Sequence, residues 1–246
     1  MRIGIIDLEA TSLDVNDALI LEVGALVVDT DTWTIEDKVS ALIKESDYPP
    51  IPQEIIGITG ITQAELNKSG VPLEMANYGL SVSLATVNCF VAHNKDYDKP
   101  VLINNLKRRK LDPSLFETKP WICSVKDIKY KPKITCRKLS HLALDYGVRV
   151  DPSKLHRATD DCMLVLDLLK ARGVDFSLDY DDFLAPKSTF RAHPKPPWED
   201  GGADNKLVKE AGFRWEPVKK MWLADFKIGH QFELTGFPIE ELSEKE

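Results

Sequence analysis

Asp7 and Glu9 stand with only Leu8 between them in the run IIDLEAT. Side chains alternate across a strand, so residues two apart share a face. Ile3, Ile5, Asp7 and Glu9 therefore point one way, and Gly4, Ile6 and Leu8 the other. Two partly buried carboxylates at that distance repel, and desolvation makes each more costly. Either the strand ends here with both acids in water, or a cation fills the gap. Hard divalent ions such as Mg²⁺ take carboxylate oxygens. The choice turns on whether further acids arrive at the ends of other elements.

Two more acids do. In AHNKDYDKPVLI, Asp98 comes just before Pro100 and an apolar helical run. There it can cap the helix or present a ligand, since a helix start after a buried strand suits both roles. In HRATDDCMLVLDLL, Asp161 shares a helical face with Leu164, Val165 and Leu168, whereas Asp160 lies nearer the edge. A core-facing aspartate needs a compensating partner. His156, five residues before Asp161, is structural or, beside several carboxylates, a general base near neutral pH. Asp7, Glu9, Asp98 and Asp161 together could hold two divalent ions roughly 3.5–4 Å apart, the arrangement that cleaves phosphodiesters.

The elements that must bring these residues together are legible in outline. RIGIIDLE reads as a first strand, and ALILEVGALVVDT and TIEDKVSALIKE as two more joined by the turn DTDTW. PPIPQEIIGITGITQAEL reads as short helical turns, VPLEMANYGLSVSL as a helix begun by proline, and NCFVAHN as a short buried strand. Asp98 to Lys110 reads as a helix that tolerates Pro100 only in its first turn. WICSVKDI suggests another strand, Arg137 to Tyr146 a helix closed by Gly147, and Ala158 to Arg172 a helix closed by Gly173. A meander followed by alternating strands and helices predicts an α/β sheet of mixed direction.

The 246 residues, 43% hydrophobic and 29% charged, suit one large soluble domain plus something small. No signal peptide and no apolar run of membrane-span length is present, so no membrane partner is expected and the cytoplasm is the expected compartment. Cys89, Cys123, Cys136 and Cys162 lie far apart, which predicts reduced thiols rather than a zinc site or disulfide frame. The net charge of −7 is uneven: residues 107–138 hold eleven basic residues against three acids. Such an island is either a solvated surface or the footprint of a phosphate backbone.

Together these motifs resemble the DnaQ-like DEDDh family of 3′→5′ exonucleases, including its phage and bacterial exonuclease X-like members. IDLEATSL is similar to that family's first motif, AHNKDYD to its second and HRATDD to its third, in the family's order. ILEVGALVVD, GITGITQAEL and WICSV are supporting matches. The resemblance implies a ribonuclease H-like α/β fold: a mixed five-stranded sheet flanked by helices, plus a small C-terminal α+β module. It makes Asp7, Glu9 and Asp161 metal ligands, Asp98 the ligand of a second ion and His156 the general base. The implied cofactors are two Mg²⁺ (or Mn²⁺) ions. Thr11, Ser12 and Leu13 would meet the 3′-terminal nucleotide. Ala10 and Ser12 depart from the family's usual Thr and Gly there. Asn94, Arg108 and Arg109 are the further substrate-binding candidates.

The implied reaction is hydrolysis of the last phosphodiester at a single-stranded 3′ end, releasing a 5′-mononucleotide. DNA is favoured over RNA because KLVKEAGFRWEPVKKMW resembles a short module found beside phage and plasmid DNA-processing enzymes. An RNA-trimming exonuclease and a non-catalytic interaction protein on a nuclease fold are the alternatives. The expected organisation is an exonuclease domain over 1–180, a Pro-, Asp- and Gly-rich linker over 181–203, an accessory module over 204–236 and a charged tail over 237–246. Trp215 and Trp222 are expected either in the module's mini-core, with Arg214, Lys219 and Lys220 outward, or as stacking aromatics of an accessory nucleic-acid grip, and both readings can hold together. The module could also dock a protein partner.

Overall fold

A computed structural model describes the chain apart from residues 132, 133, 135, 197–202, 217–218, 228–236 and 243–246. It divides into two units, 1–128 with 136–184, and 129–135 with 185–246.

In the first unit β1 (Arg2–Ala10) is the middle strand of a five-stranded sheet. Ile3, Ile5, Ile6 and Leu8 are all buried, as a strand covered on both faces requires. β2 (Ile20–Asp29) pairs antiparallel with β1, and β3 (Thr34–Leu42) antiparallel with β2. β4 (Cys89–Ala92) pairs parallel with β1, and β5 (Trp121–Cys123) parallel with β4. The order is β3-β2-β1-β4-β5, the mixed sheet that the alternating pattern predicted. β5 is shorter than WICSVKDI suggested. The chain turns at Ser124–Asp127, where the Asp127 carboxylate accepts from the Cys123 N–H at 2.6 Å and from Lys95 Nζ at 3.0 Å.

α1 (Gln53–Thr59) and α2 (Gln63–Ser69) are the short helical turns expected after β3. Then come α3 (Leu73–Leu84), α4 (Lys95–Arg108), α5 (Ser114–Thr118), α6 (Leu139–Asp145), α7 (Ala158–Arg172) and α8 (Phe176–Leu184). Ile6 and Leu8 pack in one core with Leu80 and Leu84 of α3 and with Val101 and Leu102 of α4. The opposite face of β1, which carries Asp7 and Glu9, is the α7 side. Gly24 sits across from Asp7, and a Cβ built there would lie 2.4 Å from the carbonyl carbon of Ala158. Only glycine lets the first turn of α7 come this close to the sheet.

α4 begins at Lys95, three residues before the expected start, so Asp98 is no cap but sits one turn inside the helix. The chain enters through Asn94 in the left-handed conformation (φ 79°). Pro100 is consequently internal rather than in the first turn. The carbonyl it leaves unpaired belongs to Asp96, an exposed residue.

Among its described residues the second unit holds a four-stranded antiparallel sheet ordered β7-β8-β6-β9 and one helix. Its strands are β6 (Lys187–Ala192), β7 (Arg214–Glu216), β8 (Met221–Lys227) and β9 (Ile239–Glu241), and its helix is α9 (Ala203–Glu210). Two boundaries are therefore corrected. The expected linker over 181–203 contains the end of α8 and the whole of β6, because Phe190 and Ala192 alternate inward within Pro-rich flanks. The expected tail begins with buried Phe237 and contributes β9. The core here is Phe190, Val208, Phe213, Ala224 and Phe237. Trp222 only packs against it, and Trp215 is 49% exposed, so the mini-core is built on phenylalanines rather than on the two tryptophans. Among the described residues no helix is long and apolar enough to cross a membrane.

Candidate active site

β1 delivers Asp7 and Glu9 at the carboxyl end of the parallel strands, where open α/β sheets bind ligands. α4 adds Asp98, which is 3% exposed and held by a backbone hydrogen bond from Leu8. α7 adds Asp161 from its first turn. His156 lies just before α7, and its backbone N–H donates to Asp161 Oδ2 at 3.1 Å. Oxygens of Glu9 and Asp161 and a ring nitrogen of His156 lie within 4.8 Å of one another. His156 itself has φ 61°, a left-handed backbone that costs a non-glycine residue on the order of 1–3 kcal/mol and clusters at functional sites.

The electrostatics show what the site lacks. Burial, then the charges of Asp161, Glu22 and Asp98, push Glu9 up to about 8. Burial pushes Asp98 to about 8 and Asp161 to about 6. Asp7 rises well above the usual carboxylate range through burial and then repulsion from Asp98, Asp161 and Glu9. Four carboxyls crowded together, Asp98 buried and Asp7, Glu9 and Asp161 half-buried, with a histidine at their edge, are a donor set short of positive charge. Hard oxygen donors of this kind fit Mg²⁺ or Mn²⁺. Cys162 beneath them is pushed well above its ordinary value by burial and stays a thiol, lying 3.4 Å from the Gly24 carbonyl. All four cysteines are free.

The remaining candidates separate. Leu13 is 90% exposed at the tip of the loop after β1. Thr11 Oγ1 accepts from the Leu19 N–H at 3.0 Å and closes that loop. The Ser12 carbonyl accepts from Tyr97 OH at 2.6 Å. Asn94 is exposed at the head of α4. Arg108 and Arg109 do not join the carboxylates. Arg108 donates to the carbonyls of Asn16 (2.7 Å) and Ala18 (3.3 Å), bracing the loop from behind. Arg109 pairs with Asp47 at 2.5 Å and lies over the Tyr48 ring. Much of the basic island is tied down in the same way: Lys107 pairs with Glu117, Lys126 with Asp96, and Lys119 donates to the Val87 carbonyl. Both arginines act as braces because a guanidinium's several donors suit carbonyls and carboxylates as well as phosphate.

Sequence reasoning missed Glu22 and Arg157. Glu22 is 3% exposed, and Arg157 donates to both of its oxygens, at 3.0 and 3.1 Å. The available signal was an acid inside the apolar run ILEVGAL and an arginine inside HRATDD.

The fold, a mixed five-stranded sheet flanked by helices, is ribonuclease H-like. The RNase_T exonuclease family profile matches residues 5–169, and the chain belongs to that family. No curated protein sequence matches the chain. Among solved structures, the nuclease domain of 3′hExo, a DEDDh family member bound to rAMP, superposes with a TM-score of 0.58 at 20% identity, over 74% of this chain and 94% of that one. E. coli Exonuclease I in complex with a dA16 oligonucleotide gives 0.59 at 16% identity, over 85% of this chain but only 50% of that one. Exonuclease X in complex with 5′ overhanging duplex DNA gives 0.52 at 23% identity, over 74% and 99%.

Proposed function

We propose that the protein is a divalent-metal-dependent 3′→5′ exonuclease that removes 5′-mononucleotides from single-stranded 3′ ends, DNA before RNA. The observation that carries this is the meeting of Asp7, Glu9, Asp98 and Asp161 with His156 at one strand end. Asp7, Glu9 and Asp161 would hold one ion, and Asp98 would share in a second. Bound ions supply acidity to a water and charge stabilisation to the leaving oxygen. The imidazole of His156 takes the proton of the attacking water. The new bond joins the water oxygen to phosphorus. The bond that breaks joins phosphorus to the 3′ oxygen of the preceding nucleotide, which takes its proton from solvent water as it leaves. Leu13, exposed at the loop tip, offers an apolar edge to the terminal base, while Thr11, Ser12 and Tyr97 fix the loop that carries it. Asn94, at the entry to α4, borders the same approach.

The second unit serves as an accessory grip on longer strands. Trp215 is exposed and meets Trp222 edge-on at 5.7 Å, with exposed Arg214 and Lys220 close in sequence. Aromatics that stack and cations that meet phosphate are the usual parts of single-strand binding. A protein partner is the competing use of this surface.

Matched DNA and RNA single strands, labelled at the 5′ end and incubated with Mg²⁺, test the reading. One-nucleotide shortening from the 3′ end, faster on DNA, is expected. Faster shortening of RNA would make the protein an RNA-trimming enzyme. Internal cuts would refute the exonuclease, and no release from either strand would leave an interaction protein on a nuclease fold.

A further inference from the structure

Glu22 is an acid that the proposed metal site does not use. It stands directly across the β1–β2 pair from Glu9 and is buried. Like charges opposed on neighbouring strands destabilise a sheet, and a buried carboxylate needs a partner. Both Glu22 oxygens are engaged. Oε1 accepts from the terminal guanidinium of Arg157 at 3.0 Å. Oε2 accepts from Arg157 Nε and from the Ala158 N–H, each at 3.1 Å. The remaining guanidinium nitrogen of Arg157 lies 3.4 Å from Glu65 on α2.

Arg157 follows His156 directly, and Ala158 opens α7. The clamp thus grips the chain on the residue after the left-handed turn at His156, while Asp161 holds the His156 N–H on the other side. A left-handed non-glycine residue persists only where its surroundings over-determine it.

We propose that Glu22 and Arg157, braced by Glu65, are positioning residues that hold the His156 imidazole against Glu9 and Asp161. This rests on the reading of His156 as the proton acceptor. It also explains why an acid beside Glu9 is not a ligand: its oxygens are already taken by Arg157 and the head of α7.

The test is a double-mutant cycle on a short DNA strand, with wild type, Arg157→Met, His156→Ala and the double variant. Arg157→Met is expected to lower kcat by about 10–100-fold, the usual cost of losing an outer-shell partner. KM should stay within about twofold, since Arg157 is placed against Glu22 rather than the substrate and the displaced imidazole is felt in the proton transfer. In the His156→Ala background the same substitution should cost less than about threefold, because the two residues act as one unit. Without metal, the imidazole ¹⁵N–¹H signals of His156 should shift in Arg157→Met. Those of His93, fixed by Ser124 at 2.7 Å and the Arg137 carbonyl at 2.9 Å, should not. Equal losses in both backgrounds, or an unmoved His156 spectrum, would overturn the clamp. Should Arg157→Met fail to fold, Glu22→Gln keeps the size and one acceptor, and its cycle and spectrum are judged by the same criteria. If wild type releases no nucleotide, the exonuclease reading fails instead, and the imidazole spectrum alone decides the clamp.

Discussion

The strands RIGIIDLEA of the first unit and KSTFRA of the second both mix apolar and charged residues. In β6, Phe190 and Ala192 turn inward and Arg191 turns outward to Glu240 at 3.5 Å, a pair in which both side chains are more than a third exposed. Such surface pairs contribute roughly 0–1 kcal/mol and ask nothing of their surroundings. In β1 the acids turn the other way, into a pocket that already holds Asp98 and Asp161, and burial lifts their protonation. A fold that tolerates four mutually repelling carboxyls is using them for something other than stability. The second unit carries no such tension among its described residues. The comparison is the reason to place the proposed chemistry in the first unit and to give the second the proposed supporting role.

The contrast is broken most severely at His156. His156→Ala is expected to reduce turnover by about 10²–10⁴-fold, as removal of a general base does. Thermal stabilisation by Mg²⁺ should remain, because the carboxylates are untouched. A rate equal to wild type across pH would mean that another group accepts the proton.

A smaller effect sharpens the electrostatic side. Glu9 and Asp98, both at about 8, and Asp161, at about 6, bind protons in the folded chain that an unfolded chain gives up above about pH 4. Their contribution to stability is whole below about pH 4 and is lost as pH rises through 6 to 8. Divalent ions need the deprotonated carboxylates, so the gain in Tm from added Mg²⁺ should grow between pH 5.5 and 8.5. Melting curves taken with and without Mg²⁺ check this, and a gain that stays flat or shrinks would contradict it.

The smallest effect belongs to the second unit. Trp215→Ala with Lys220→Ala should leave hydrolysis of a trinucleotide unchanged and weaken binding of a long single strand several-fold at low salt. The difference should fade as salt rises, since phosphate contacts are lost with their counterions. Equal affinity of both proteins at low salt would leave the surface to a protein partner.

The mixed sheet and the grouping of the acids were legible in the sequence; several element boundaries were not. Asp7, Glu9 and Asp161 could be read from strand and helix periodicity, because those periods fix which side chains share a face. The α7 span matched its reading, since Gly173 closes the helix in the left-handed conformation (φ 70°). The start of α4 did not. A left-handed asparagine entry has no periodic signature, and Pro100 drew the expected boundary toward itself. β6 was hidden by composition, because six residues of alternation are a weak signal between Pro-rich flanks. Glu22 and Arg157 were hidden by distance: |i−j| for the pair is 135, and no local pattern links strand and helix so far apart. The same limit applied to Arg108 and Arg109, whose carbonyl and carboxylate partners lie in other segments.

The most direct measurement compares wild type with Asp7→Asn on a single DNA strand labelled in its 3′-terminal nucleotide, with Mg²⁺ or with EDTA. The substitution keeps the shape of the side chain and removes the charge at the centre of the cluster. The wild type should release labelled 5′-mononucleotide with Mg²⁺ and none with EDTA. Asp7→Asn should fall to background while melting, without metal, no lower than wild type, because a group that repels its neighbours once ionised is replaced by one that cannot ionise. Release by Asp7→Asn at the wild-type rate, or release by the wild type in EDTA, would contradict the account.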